Sequence, residues 1–293
     1  LFTGPTGAGK TATLYACLQA LNSGKKKINT IEDPIEYTLE GIRQSQVNSG
    51  IDLGFSELLR AVVRQSPDVI MIGEIRDPET ASIAIRAANS GHLVLATIHA
   101  TAAAGAIQSM RALGVHSHFL ATALRCVGAQ RLVRTLCPQC RTPFDLADAP
   151  HTFDDVAHLL PQGAGKALWA PRGCEDCHMT GYASRTGVFE LLPISRDVRK
   201  RIADAATTRE IHACAAAEKN LEFRHAAMLK VAQGETSTAE IFRAIPTEHL
   251  VAEEGVAPVE APAAAPPHAP APAPVAKTRR RQSAPRASRS SAR

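Results

Sequence analysis

Residues 4–11 read GPTGAGKT and match the pattern G-x-x-x-x-G-K-[ST]. Leu1–Thr3 can form the end of a strand, and the leucines of Thr11–Leu21 fall on one face of a helix. A strand, a glycine-rich loop and a helix in this order bind phosphate, because the loop turns backbone N–H groups inward and the helix N-terminus adds partial positive charge. We therefore predict a nucleotide-binding loop, rather than an ordinary turn, made of Gly4, Pro5, Thr6, Gly7, Ala8, Gly9, Lys10 and Thr11.

Short runs of apolar residues alternate with amphipathic segments over the first 132 residues. Strands that are apolar throughout and alternate with helices are typical of a parallel sheet covered on both faces. The sequence therefore predicts an α/β nucleotide-binding core over residues 1–132. The predicted strands are Ile28–Ile31, Val69–Ile72 and Leu93–Ile98, and the predicted helices are Thr11–Leu21, Ser56–Gln65 and Pro78–Asn89.

Composition divides the rest of the chain into three segments. Residues 133–190 are rich in Cys, Pro, Gly and His and predict a small inserted module, and residues 191–250 predict a helical C-terminal subdomain. Residues 251–293 are rich in Ala, Pro and Arg and predict a disordered tail, because they offer little apolar surface to bury. The formal net charge is +5 and most of it lies in the tail, so the folded part gives no electrostatic argument for nucleic-acid binding.

A buried strand ending in an acid follows the phosphate-binding loop. Residues 68–77 read DVIMIGEIRD, with Gly73 in the position before the glutamate, where a second acid is usual. A carboxylate delivered beside the phosphates can orient or deprotonate the attacking water. We predict that Glu74 has this catalytic role and that it comes from the strand next to the phosphate-binding loop.

Three further stretches resemble motifs of one ATPase family. IEDPIEY (31–37), VVRQSPDVIMIGEIRDPETA (62–81) and GHLVLATIHA (91–100) are similar to the acidic box, Walker B motif and histidine box of the ATPases that power type II secretion and type IV pilus assembly. The resemblance covers residues 1 to about 246. It implies a RecA-like P-loop NTPase core with a mostly parallel sheet, a small zinc-binding insertion, and hydrolysis of ATP with Mg²⁺.

The resemblance also implies roles for individual residues. Glu32 and Glu36 would be carboxylates near Mg²⁺ and the attacking water, Glu74 the Walker B glutamate, and His99 a contact of the γ-phosphate or a relay to a neighbouring subunit. Arginines near the nucleotide or the subunit interface would be Arg60, Arg64 and Arg76. Apart from the resemblance, His99 can be a histidine satisfied at a strand end, and Arg60 and Arg64, four residues apart on one helix face, can be solvated or paired.

The family implies an assembly as well as a fold. We expect a homo-hexamer at the cytoplasmic face of the inner membrane, with a membrane platform protein and a cytoplasmic membrane-recruitment subunit as partners. The chain starts at Leu1, so we expect an N-terminal truncation that removes part of the first strand and a preceding domain. Two alternatives stay open: a nucleic-acid-dependent P-loop motor with a basic tail, and an inactive remnant of the secretion ATPase.

Four of the seven cysteines form two C-x-x-C pairs, which are Cys137 with Cys140 and Cys174 with Cys177. Two such turns can close a tetrahedral thiolate site, and four thiolates leave no open position for catalysis. We predict a structural zinc site; disulfides and a redox pair are the alternatives, and His178 is an alternative ligand. Secretion and pilus-extension members of the family show a similar tetracysteine pattern, which favours that branch.

Overall fold

A seven-stranded sheet organises the molecule, with the strand order β3-β2-β4-β5-β1-β6-β9. The computed structural model describes residues 1–147, 149 and 151–251, so the predicted disordered tail lies outside the described residues from position 252 onward. The strands are β1 (Phe2–Thr3), β2 (Ile28–Glu32), β3 (Arg43–Gln46), β4 (Val69–Ile72), β5 (Leu93–Ile98), β6 (Cys126–Leu136), β7 (Thr142–Asp145), β8 (Ala167–Ala170) and β9 (Tyr182–Pro193).

Helices fill the connections and the C-terminal region. They are α1 (Lys10–Leu21), α2 (Phe55–Val63), α3 (Pro78–Asn89), α4 (Ala103–Ala112), α5 (Ser117–Ala123), α6 (Arg196–Ala203), α7 (Thr208–Ala217), α8 (Phe223–Ala232) and α9 (Thr238–Ala244). α3 begins where the sequence predicts, because the Asp77 side chain accepts a hydrogen bond from the Thr80 amide and Pro78 occupies the first turn. Among the described residues, none of these helices is both long and apolar enough to span a bilayer.

Neighbouring strands from β3 to β6 run parallel, and β9 runs antiparallel to β6. β7 and β8 form a separate antiparallel hairpin. The predicted α/β fold with a mostly parallel sheet is therefore confirmed. Parallel strands end together at one edge of the sheet, so the segments after β1, β2, β4 and β5 can meet there.

Both faces of the sheet are covered by apolar side chains. Val69 and Met71 of β4 pack with Leu14 and Leu18 of α1 in one buried cluster. Alternate residues of the same strand point to the opposite face, where Ile70 and Ile72 join a second cluster that includes residues of α2 and α3. This two-sided burial explains why β4 contains only apolar residues.

Two strands cross the segment boundaries that the composition suggests. β6 continues from Cys126 to Leu136, past position 132, and β9 continues from Tyr182 to Pro193, past position 190. All described residues belong to one compact unit. The division into core, inserted module and helical subdomain stays a prediction, and both of its internal boundaries lie within the main sheet.

Candidate functional site

The loop between β1 and α1 needs glycine at defined positions. Gly4 has a φ of 148°, and a Cβ there would lie 2.5 Å from the backbone oxygen of Gln130. Gly9 has a φ of 80° and forms the N-terminal cap of α1 in the left-handed region, which glycine adopts without steric cost. The Gln130 side chain of β6 also donates a 2.6 Å hydrogen bond to the Ala8 carbonyl. β6 therefore supports the loop at Gly4 and at Ala8.

Lys10 is the first residue of α1, and its side chain reaches back to the loop. Its Nζ donates hydrogen bonds to the carbonyls of Gly4 (2.8 Å) and Pro5 (3.1 Å). Burial lowers the pKa of Lys10, and the nearby charge of Glu74 acts in the opposite direction. An ammonium group held by neutral carbonyls can exchange them for phosphate oxygens, which are stronger acceptors.

A cleft of about 520 Å³ opens beside the loop at the carboxyl ends of the strands. Gly7 and Glu74 line the same cleft, as the predicted arrangement of loop and catalytic acid requires. Gly4 and Pro5 do not line the cleft. Their carbonyls instead accept the hydrogen bonds from Lys10 Nζ. The other predicted residues that line it are Thr6, Ala8, Gly9, Lys10, Thr11, Glu32, Glu36, Arg76 and His99.

Glu74 follows β4 and has two cationic or potentially cationic neighbours. His99 Nε2 lies 2.5 Å from Glu74 Oε1, and an Arg76 guanidinium nitrogen lies 2.7 Å from Glu74 Oε2. The Glu74 side chain is 14% exposed, whereas those of Arg76 and His99 are more than half exposed. The carboxylate is thus oriented by two groups that can also reach a ligand in the cleft.

The strand that carries Glu74 is not the neighbour of the strand that carries the loop. The expectation of adjacent strands is wrong, because β5 lies between β4 and β1. Thr97 on β5 donates a 2.6 Å hydrogen bond to the Gly73 carbonyl and thereby holds the segment before Glu74. A Cβ on Gly73 would lie 3.2 Å from the Ile31 carbonyl, so the close approach to β2 accounts for glycine at this position.

Glu32 at the end of β2 is buried and hydrogen-bonded. It accepts hydrogen bonds from the Tyr15 hydroxyl, from Thr30 Oγ1 at 2.5 Å and from Gln44 Nε2 at 3.1 Å. Burial and the hydrogen bond to Glu32 raise the pKa of Tyr15 to about 12. Glu36 is exposed, and its amide donates a 3.3 Å hydrogen bond to the same Tyr15 hydroxyl. Sequence reasoning missed both Tyr15 and Gln44.

Two of the three predicted arginines lie away from the cleft. Arg60 of α2 is about half exposed and forms an ion pair with Glu79 of α3. Arg64 is exposed at the C-terminal end of α2. Only Arg76 lines the cleft, and a role for Arg60 and Arg64 at a subunit interface stays a prediction.

The four C-x-x-C cysteines come together in space. Their sulfurs all lie within 4.8 Å of one another, with separations of 3.9 Å (Cys137–Cys174), 3.8 Å (Cys140–Cys177) and 3.7 Å (Cys174–Cys177). A tetrahedral zinc with Zn–S bonds of about 2.3 Å separates its sulfurs by about 3.8 Å. The cluster therefore has the dimensions of a zinc tetrathiolate site, and His178 is not part of it.

Backbone amides support the sulfur of Cys177 in this cluster. The amides of Cys174 and Gly181 each donate a 3.2 Å hydrogen bond to it. Burial alone would raise the pKa of the Cys177 thiol, but these hydrogen bonds help lower it to about 6. The amide hydrogen bonds favour the thiolate of Cys177, which is the form of the side chain that binds a metal.

Comparison with known proteins gives one consistent result. The model of the family described as "Type II/IV secretion system protein" matches residues 1–243. The type II secretion system protein E of Dickeya dadantii is 46% identical over 243 residues, which are 83% of this chain and 47% of that protein. The type IV pilus assembly ATPase TfpB of Acinetobacter baylyi is 40% identical over 248 residues, with 84% of this chain and 42% of that protein covered.

A solved structure has the same fold over most of the chain. The pilus retraction motor PilT with bound ADP superposes with a TM-score of 0.59 at 25% identity, covering 83% of this chain and 59% of that one. This chain spans about half the length of the curated relatives it matches. The chain belongs to the type II/IV secretion system protein family.

Proposed function

We propose that this chain is the part of a secretion or pilus-assembly motor that binds and hydrolyses ATP. The observation that supports this most strongly is the position of Glu74, whose carboxylate lines the same cleft as Lys10 and Thr11. In such a cleft the triphosphate lies between a loop of N–H donors and an acid that can accept a proton from water.

Each group at the cleft has a part in this proposal. Lys10 exchanges its two carbonyl partners for phosphate oxygens, and Glu74 accepts the proton of the attacking water. His99 and Arg76 keep the carboxylate of Glu74 pointed at the cleft and neutralise charge that develops on the terminal phosphate. The Thr11 hydroxyl and the phosphates would hold Mg²⁺, which would neutralise phosphate charge.

The two glutamates after β2 have different parts. Glu32 is fixed by three hydrogen bonds and lines the cleft, so its carboxylate would orient water beside a bound Mg²⁺. Glu36 is exposed and can move towards or away from the ligand. Tyr15 connects them, because its hydroxyl bonds both the Glu32 carboxylate and the Glu36 amide.

The assembly belongs to the proposal as well. The proposed assembly is a homo-hexamer at the cytoplasmic face of the inner membrane. Relatives named as a type II secretion protein and a type IV pilus assembly ATPase support a place in one of these two machines. The partners of the hexamer would be a membrane platform protein and a membrane-recruitment subunit. The tetracysteine cluster would hold a structural Zn²⁺, and its cysteine pattern favours the secretion or pilus-extension branch. The near-neutral charge of the folded part gives no reason to add nucleic acid as a partner.

The direct test is ATP hydrolysis by the Lys10→Ala and Glu74→Gln variants. Lys10→Ala should abolish nucleotide binding and turnover together, whereas Glu74→Gln should lower kcat by a factor of about 10² to 10⁴ and leave nucleotide bound. Lys26→Ala and Glu40→Gln, at exposed positions, are the matched controls. Turnover that survives both changes at the cleft would refute the assigned roles.

A further inference from the structure

The segment that carries His99 has its backbone held by side chains of other elements. Residues 99–102 join β5 to α4 and belong to neither of them. The Ser109 hydroxyl of α4 donates a 3.1 Å hydrogen bond to the His99 carbonyl. The Thr3 hydroxyl of β1 donates a 3.0 Å hydrogen bond to the Ala100 carbonyl. The direction of the His99 side chain therefore depends on contacts outside its own strand.

Arg131 of β6 reaches the same segment and is only 5% exposed. Its guanidinium donates hydrogen bonds to the Thr101 carbonyl at 2.7 Å and to the Gln130 carbonyl at 3.0 Å. The guanidinium carbon also lies 5.2 Å from the centre of the Phe223 ring. A planar guanidinium with two carbonyl partners and an aromatic neighbour favours one position, so Arg131 holds the Thr101 carbonyl in place relative to β6.

Consecutive residues of β6 support two different parts of the site. The Gln130 side chain donates to the Ala8 carbonyl of the phosphate-binding loop, and the Arg131 side chain donates to the Thr101 carbonyl. Successive side chains of a strand point to opposite faces of the sheet, so these two leave β6 in opposite directions. One strand therefore contacts both the phosphate-binding loop and the segment that carries His99.

Glu190 of β9 holds the other end of this segment. α4 begins after Ala102, which has no side-chain oxygen to cap the helix, and Glu190 Oε2 accepts a 3.2 Å hydrogen bond from the Ala103 amide instead. A carboxylate is favoured at a helix N-terminus, because the free amides and the helix dipole attract negative charge. Glu190 is opposite Ala129 in the pairing of β9 with β6, so Arg131 is its diagonal neighbour on the same face of the sheet.

We propose that Arg131 and Glu190 are positioning residues that determine how the His99 side chain meets the Glu74 carboxylate. The assignment rests on the proposed function. Neither Arg131 nor Glu190 lines the cleft, so both act through the segment that they hold. By fixing this segment they keep His99 Nε2 at 2.5 Å from Glu74 Oε1. A displacement of about 1 Å at such a contact can lower a rate about 100-fold.

The first test is the effect of Arg131→Lys on ATP hydrolysis and on ATP binding. The variant keeps the positive charge, but a single ammonium group cannot hold the Thr101 and Gln130 carbonyls as the planar guanidinium does. We expect kcat to fall about fivefold and the Kd for ATP to change less than about twofold, because the nucleotide itself loses no contact. An unchanged kcat would overturn the role of Arg131.

Arg199 of α6 provides the matched control. Its guanidinium also donates hydrogen bonds to two backbone carbonyls, those of Ala121 and Ile194. Neither carbonyl belongs to the segment that carries His99, so Arg199→Lys should leave kcat and Kd unchanged. An equal loss of kcat in Arg199→Lys and Arg131→Lys would overturn the proposal, since the effect would then not depend on the place of the arginine.

A double-mutant comparison separates positioning of His99 from a general effect on folding. In His99→Ala the residue that Arg131 positions is already absent, so the addition of Arg131→Lys should lower kcat less than about twofold further. A fivefold loss in both backgrounds would overturn the proposal, because Arg131 would then act independently of His99.

Glu190 is tested by a pair of substitutions. Glu190→Leu removes the acceptor of the Ala103 amide and should lower kcat about fivefold, whereas Glu190→Gln retains an oxygen acceptor and should stay within about twofold of wild type. Glu210→Leu is the control, because the Glu210 carboxylate accepts a 2.8 Å hydrogen bond from the Thr207 amide at the start of α7, away from the site. Equal losses in Glu190→Leu and Glu190→Gln would overturn the role of this hydrogen bond. If Glu190→Leu does not fold, the Arg131→Lys comparison decides the proposal.

The Lys10→Ala variant distinguishes failure of this proposal from failure of the proposed function. If Lys10→Ala abolishes ATP binding and turnover while Arg131→Lys keeps the wild-type kcat, only the positioning role fails. If Lys10→Ala leaves both binding and turnover unchanged, the proposed function fails first.

Discussion

The carboxylate of Glu74 has each of its oxygens beside a different nitrogen-bearing side chain. His99 contacts Oε1 and Arg76 contacts Oε2, at 2.5 Å and 2.7 Å respectively. Close contacts at both oxygens favour one orientation of the carboxylate. His99 is the more informative of the two, because it comes from a different strand end, after β5.

Replacing His99 tests whether this residue orients the Glu74 carboxylate or binds ATP. We predict that His99→Ala lowers kcat about tenfold or more, because Glu74 Oε1 loses its partner, while the Kd for ATP changes less than about threefold. Single-turnover hydrolysis and equilibrium binding measure the two quantities. His118→Ala, at an exposed position on α5, is the control. A large loss of affinity with normal kcat would show that His99 binds substrate instead of orienting the acid.

Among single residues, those of the motifs could be predicted from the sequence. The residues that hydrogen-bond to the site and hold it in place could not. Lys10 and Glu74 belong to short patterns that require these residue types. Tyr15 lies between buried leucines on α1. A buried tyrosine hydroxyl needs a polar partner, and that requirement was a usable signal for Tyr15. Gln44 lies on β3, whose sequence RQSQ has no apolar alternation to reveal a strand.

At the scale of elements, the ion-pair cluster around Glu240 connects α9 to β6. Burial alone would raise the pKa of Glu240, but hydrogen bonds from Arg243 and Arg134 lower it to about 2. The folded pKa lies below the ordinary value of 4.5, so the contribution of Glu240 to stability is present above pH 4.5 and is lost as the pH falls towards 2.

Removing this carboxylate should loosen α9. We predict that Glu240→Gln lowers the free energy of unfolding at pH 7 by about 1.5–3 kcal/mol, the cost of losing hydrogen bonds to charged groups. Urea unfolding from pH 7 to pH 2 should show the difference from wild type shrinking below pH 4.5. Glu235→Gln breaks a more exposed pair with Lys230 and should cost less than about 1 kcal/mol. A difference that is constant with pH would contradict the ion-pair account.

The elements that sequence patterns predicted are those with continuous apolar runs. β2, β4 and β5 and the first three helices lie within two residues of their predicted bounds, because burial on both sheet faces leaves a clear signal. β6 and β9 were missed, although they are the longest strands described, with 11 and 12 residues. Both mix apolar residues with arginines and glycine, which obscures the alternation expected of a strand.

For the whole molecule, the cysteine cluster is continuous with the seven-stranded sheet. Cys137 directly follows β6, and the Leu136 amide donates a 2.8 Å hydrogen bond to the Glu235 carbonyl in the turn between α8 and α9. Arg141 donates a 2.5 Å hydrogen bond to the Gly234 carbonyl in the same turn and stacks on Trp169. Metal binding should therefore stabilise more than the local turns.

Removing the metal should lower the Tm of a single unfolding transition, because the cysteine cluster and the sheet should unfold together. We predict about one zinc per chain, a loss of that zinc in Cys137→Ser, and a lower Tm for the entire protein in this variant or after chelation. Cys126→Ser, an exposed cysteine outside the cluster, should keep the metal and the Tm. Calorimetry with metal analysis measures both. Full zinc occupancy in Cys137→Ser would refute the tetrathiolate site, and a separate low-temperature transition would show that the module unfolds independently.

The most direct test of the proposed ATPase site is a crystal structure of the protein with Mg²⁺ and a non-hydrolysable ATP analogue. We expect the terminal phosphate to lie between Lys10 Nζ and the Glu74 carboxylate. A terminal phosphate bound outside this cleft, or one with Glu74 turned away from it, would contradict the account.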